Sequence, residues 1–213
     1  MSFTAINNLN LFLATGAIFL QFLALSTLLI FFFGPKKNVL LEFIQKHFLF
    51  LGFLISLFSM IFSLVYSEII GYLACTLCWY QRIFLFPQVF IFATALWRTK
   101  IQENNLKNKK ENDKENTGKN LFDNRGVFYF SFPMVLIGFS IALYQTIIYY
   151  LGDSSNIPCD ASGVSCYQRL VSVFDGYISI PTLSLTAFVA ILVLLLVVYF
   201  YEKRSLSVSS NFN

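Results

Sequence analysis

The chain has 213 residues, of which 57% are hydrophobic and 12% charged, and its formal net charge is +4. A soluble domain carries about 25% charged residues. Half that share, combined with 26 Phe and 11 Tyr, leaves too little polar surface to cover a water-soluble globule. Composition therefore excludes a secreted disulfide scaffold, a disordered chain and a cytosolic enzyme, and leaves a helical membrane protein.

Five stretches are long and apolar enough to cross a hydrocarbon core of roughly 30 Å as helix. They run approximately Leu11–Phe33, Phe48–Ile70, Trp79–Trp97, Val127–Leu151 and Pro181–Tyr201. The runs are continuously apolar, without the period-2 alternation of a membrane β-barrel. The expected fold is all-α: a polytopic membrane bundle with a four-helix core and one extra N-terminal transmembrane helix. Its expected parts are residues 1–47 (extra helix and a cytoplasmic loop), 48–201 (the four-helix domain) and 202–213 (a cytoplasmic tail). The first stretch is read as a retained helix. Its n-region, Met1–Asn10, has no Lys or Arg, and it ends at the basic stop Gly34-Pro35-Lys36-Lys37 rather than at a small-residue cleavage site.

Lys and Arg set the orientation. Lys36, Lys37 and Lys46, eight residues between Arg98 and Arg125, and Lys203 with Arg204 all fall on one side, which makes 13 of the 15 basic residues. The other side keeps Arg82 and Arg169. The N-terminus is expected outside and the C-terminus in the cytoplasm. Residues 98–126, rich in Lys and Asn, read as a flexible cytoplasmic loop.

With this topology all four cysteines face outside: Cys75 and Cys78 just before the third span, Cys159 and Cys166 in the last outer loop. Disulfides form in that compartment and not in the cytosol, so two close pairs argue for two disulfides. A C-x-x-C also serves zinc and haem. Haem attachment needs His where Trp79 stands, and the single His, His47, lies on the other side, so no metal is expected. A loop as short as Cys75–Cys78 restricts the unfolded chain little, and strained short bridges are the labile, redox-active ones.

Cys78 lies at the start of a helix, where the dipole favours a thiolate. Arg82 is four residues on, on the same helical face. It either snorkels to the outer interface or lowers the thiol pKa and stabilises an adjacent anion; the second role is expected. Pro158 and the Ser/Gly content make the loop around Cys159 and Cys166 extended and mobile. Such a loop suits collision with another protein, the alternative being a simple staple. Arg169 either tunes Cys166 or balances Asp153, Asp160 and Asp175.

The string Cys75-Thr76-Leu77-Cys78-Trp79-Tyr80-Gln81-Arg82, followed by Ile157-Pro158-Cys159 and Cys166, closely resembles the bacterial disulfide bond formation protein B/C family. Ile178-Ser179-Ile180-Pro181-Thr182-Leu183-Ser184-Leu185 resembles the segment that opens the last helix in the C-type branch. The resemblance covers roughly Phe48–Tyr201; the first helix and the long cytoplasmic loop depart from it.

The resemblance implies a thiol:quinone oxidoreductase of the bacterial cytoplasmic (inner) membrane. Such a protein reoxidises an extracytoplasmic thioredoxin-fold thiol oxidase of the DsbA/BdbD kind and passes electrons to ubiquinone or menaquinone. It further implies redox-active disulfides Cys75–Cys78 and Cys159–Cys166. Cys159 would form the mixed disulfide, Cys166 would relay to Cys75, and Cys78 and Arg82 would meet the quinone. A dithiol with a potential near −120 mV gives up electrons only to a stronger oxidant, and a lipid quinone suits that role. Two competitors are a vitamin-K-epoxide-reductase-like enzyme, whose loop cysteines precede its C-x-x-C, and a non-enzymatic multi-span adaptor with structural outer disulfides.

Overall fold

The computed structural model describes residues 3–33, 39–71, 75–108, 119–151 and 178–210. These form five helices: α1 (Phe3–Phe33), α2 (Val39–Leu64), α3 (Thr76–Asn108), α4 (Lys119–Leu151) and α5 (Ile180–Ser210). A single π turn, Val65–Ile69, continues α2 at its C-terminal end.

α2 touches α3 and α5, and α4 touches α3 and α5, so these four close into a ring around one core. Phe48 of α2, Phe92 of α3, Val135 of α4 and Phe188, Ile191 and Leu195 of α5 meet at its centre. α1 stays outside this ring and docks mainly on α5. The expected four-helix core with an extra N-terminal helix is therefore the observed architecture.

Two glycines set how closely the ring packs. A methyl group on Gly52 would sit 2.6 Å from Phe92 Cε1, and one on Gly138 would overlap the ring of Phe188. Both rings are fully buried and have nowhere to go. Overpacking of this kind costs about 1–3 kcal/mol. We expect Gly138→Ala to lower the unfolding midpoint in detergent, whereas Gly16→Ala, with nothing within 4 Å of the added group, leaves it unchanged.

α1 meets the bundle through small side chains: Ala14 and Ala17 are buried on the docked face, as is Thr27. Close approach through small residues is how helices associate without a hydrophobic driving force in lipid. Two hydrogen bonds reinforce the contact, from Gln21 Nε2 to Thr186 Oγ1 (2.8 Å) and from the Tyr66 hydroxyl to Asn10 Oδ1 (2.5 Å). The outward face carries Phe12, Phe19, Phe22 and Phe32, all exposed, as a lipid-facing surface requires.

The structure corrects several expected boundaries. α2 begins at Val39 rather than near Phe48. Its first turns bury Leu41 and Ile44 against Val193, Leu194 and Val197 of α5 while Lys46 stays exposed. An uninterrupted apolar stretch was therefore the wrong criterion for an amphipathic start. Lys46 and His47 consequently lie on a helix, not in a loop. α3 runs on to Asn108 and α4 starts at Lys119, so helix takes up most of the loop expected at 98–126.

Among the described residues, four helices are long and apolar enough to cross a membrane: Ile6–Phe33, Val39–Ile69, Gly126–Leu151 and Ile180–Tyr201. The third expected span, Trp79–Trp97, is a helix but falls short of that measure. Gln81, Arg82 and Gln88 interrupt its apolar character, and all three are buried inside the bundle. Polar groups at membrane depth are tolerated when they face the bundle interior.

Candidate redox site at the end of the bundle

The site lies where α2 ends, α3 begins and α4 ends. The chain leaves the π turn through Gly71, whose φ of 82° falls in the left-handed region that only glycine enters freely. Cys75 then precedes α3: its carbonyl accepts the Trp79 amide (3.2 Å), so the C-x-x-C spans the first helical turn. That turn brings the two sulfurs to 3.1 Å. Cys75 is buried and Cys78 is partly exposed.

α4 contributes Gln145, whose amide nitrogen donates to both sulfurs, at 3.4 Å each. Its carbonyl oxygen accepts from Gln81 Nε2 at 2.7 Å. Gln145 and Gln81 are both buried. This pair did not emerge from the sequence reading. The available signal was a glutamine in an otherwise apolar stretch of α4, since polar residues at membrane depth are costly and mark function.

Arg82 is 7% exposed, which rules out a side chain that snorkels into water. Its guanidinium is turned towards α2: Nε donates to Ser63 Oγ and Nη2 to the Ser63 carbonyl, both at 2.9 Å. It also lies 5.2 Å from the centre of the Trp79 ring, in cation–π range. The shared face with Cys78 is thus real, and among the described residues the hydrogen bonds of Arg82 go to Ser63 and none to either sulfur. Among the described residues, the side-chain amide that donates to both sulfurs is that of Gln145. Of the five guanidinium N–H groups the Ser63 contacts use two. A guanidinium beside an exposed indole and a partly exposed cysteine suits a ring carbonyl oxygen, the acceptor that a quinone presents.

At the same end, Ser179 opens α5. Its hydroxyl accepts the Thr182 amide (3.4 Å) and bonds the Thr182 hydroxyl (2.8 Å), with Pro181 in the first turn where its missing N–H costs nothing. This fixes where the segment from the last loop re-enters the bundle. Cys159, Cys166 and Arg169 lie outside the described residues. Among the described residues no group of His, Cys, Asp and Glu is arranged to hold a metal ion.

The family described as disulfide bond formation protein DsbB matches residues 45–198, which leaves α1 outside the match. The chain is 31% identical over 152 residues to a probable disulfide formation protein C 2 of Bacillus anthracis, covering 71% of this chain and 90% of that one. It is 30% identical over 151 residues to a probable disulfide formation protein of Metapseudomonas resinovorans, covering 70% and 88%. Disulfide bond formation protein C of Bacillus subtilis is 31% identical over 153 residues, covering 68% and 88%. No solved structure matches the chain.

Proposed function

Since the chain belongs to the disulfide bond formation protein DsbB family, and is thereby a membrane disulfide-forming protein, we propose that it is a thiol:quinone oxidoreductase of the bacterial cytoplasmic membrane. It reoxidises an extracytoplasmic thioredoxin-fold dithiol and passes the electrons to ubiquinone or menaquinone, with its cysteine end outside. The observation that carries this reading is the sulfur pair itself. Two sulfurs 3.1 Å apart, on one buried and one partly exposed cysteine, stand one helical turn from a buried guanidinium.

The reduced partner's thiolate attacks Cys159 of the Cys159–Cys166 disulfide, and Cys166 leaves with the bonding electron pair. The partner's second thiolate resolves the mixed disulfide and frees Cys159. Cys166 then attacks Cys75; the Cys75–Cys78 bond breaks and Cys78 carries the negative charge. Cys159 next attacks Cys166 of the Cys75–Cys166 disulfide, which restores the Cys159–Cys166 bond and frees Cys75, so that Cys75 and Cys78 together hold the two electrons. A bound quinone supplies an acceptor of two electrons and two protons. Arg82 and Trp79 would hold it, Arg82 by donating to a ring oxygen and Trp79 by offering an apolar face. Burial of Cys75 keeps that sulfur from reacting at random with outside thiols.

The test is a division of labour. Membranes carrying Cys159→Ser or Cys166→Ser should fail to oxidise a reduced thioredoxin-fold partner, yet should still reduce quinone when a small dithiol is supplied. A loop variant that oxidises the partner at the wild-type rate contradicts the proposal.

A further inference from the structure

We propose that Gln145 is a positioning residue for the cysteine pair: its amide holds both sulfurs and favours the thiolate released on Cys78. This deepens the proposed function and rests on Cys75 and Cys78 being the redox pair, but not on the identity of the electron acceptor.

The amide sits between two partners. Gln81 Nε2 donates to the Gln145 side-chain oxygen at 2.7 Å. The Gln145 nitrogen faces the cysteines, 3.4 Å from each sulfur. Its two hydrogens can serve one sulfur each. Gln81 sits three residues after Cys78 on the same helix, so the helix that carries the cysteines also fixes the amide that binds them. With both glutamines buried, water does not compete for these bonds, and a buried amide left without partners would be costly.

Hydrogen bonds to a charged sulfur are stronger than those to a neutral one. When an incoming thiolate adds to Cys75, the Cys75–Cys78 bond breaks and its electron pair remains on Cys78. The new disulfide joins Cys75 to the attacking cysteine. At that moment the Gln145 N–H groups gain most, because one of the two sulfurs they face becomes an anion. A neutral amide does this without adding a cation at membrane depth, and it leaves Arg82 in its contact with Ser63.

The experiment uses the full chain with Cys159→Ser and Cys166→Ser, so that two thiols remain, reduced and in detergent without quinone. The rate of Cys78 alkylation by iodoacetamide is followed against pH. Relative to this background, Gln145→Met keeps the side-chain length but has no N–H. It should move the profile up by about one to two pH units, or about 10- to 100-fold less thiolate at a given pH. Gln81→Met, which leaves the Gln145 amide in place but releases its oxygen, should move the profile in the same direction by less. A profile unchanged in both variants, each inserted at background levels, overturns the proposal. A Gln145-dependent profile in a protein that reduces no quinone would sustain this inference while refuting the quinone reading.

Discussion

Replacing Cys75 or Cys78 with serine is expected to abolish quinone reduction entirely, whichever dithiol is supplied, while the protein still accumulates in the membrane. The chemistry requires two sulfurs that can share a bond, and α3 brings these two to 3.1 Å across its first turn. A serine hydroxyl can neither form that bond nor carry the electron pair released when it breaks. Folding should survive. Cys75 contributes little apolar area, and the bundle core lies further along the helices at Phe48, Phe92 and Phe188. The two variants should also differ in one respect. With Cys75 retained, the loop cysteine can be trapped on it as a stable disulfide; with Cys75 removed, that species should not form. Both are read by quinone absorbance and by non-reducing electrophoresis after thiol blocking. A serine variant that turns over would mean that electrons reach the acceptor by a route that avoids this pair.

The second large effect is expected at Arg82. Removing a preorganised donor at the place where charge develops typically slows a reaction roughly 10²–10³-fold, so Arg82→Gln should slow quinone reduction by about that factor. Arg82→Lys keeps the charge but loses the planar fork, one edge of which binds Ser63 and another of which would face the proposed acceptor. It should fall between the two, with weakened apparent quinone affinity. Because Arg82 is buried and bonded to α2, part of any loss could be structural. Equal membrane levels and an unchanged Cys78 alkylation profile would assign the effect to the electron-accepting step. Wild-type kinetics in Arg82→Gln would leave Arg82 as a brace between α3 and α2.

The architecture was legible because membrane helices are written as long apolar runs, and the extra first helix stood out as one such run too many for a four-helix core. What was illegible had physical causes. The amphipathic start of α2 hides Leu41 and Ile44 beside Glu42, Lys46 and His47, so a search for unbroken apolarity began too late. α3 was found although Gln81, Arg82 and Gln88 dilute it; these residues turn inwards, which a one-dimensional scale does not register. The spacing of Cys78 and Arg82 put them on one helical face, but spacing within a helix says nothing about a neighbouring helix. Ser63 takes the guanidinium from α2, and Gln145 reaches the sulfurs from α4. Both are tertiary facts between residues 19 and 70 positions from their partners.

The central claim is that the cysteine pair passes electrons from a protein dithiol to a quinone, and its most direct test is stoichiometry in one vessel. Purified full-length protein is mixed without oxygen with excess quinone and a reduced thioredoxin-fold partner, and quinol and partner disulfide are measured together. The account predicts one quinol for each partner disulfide formed, with neither appearing in the Cys78→Ser variant. Partner oxidation without matching quinol, or matching quinol in Cys78→Ser, would contradict it.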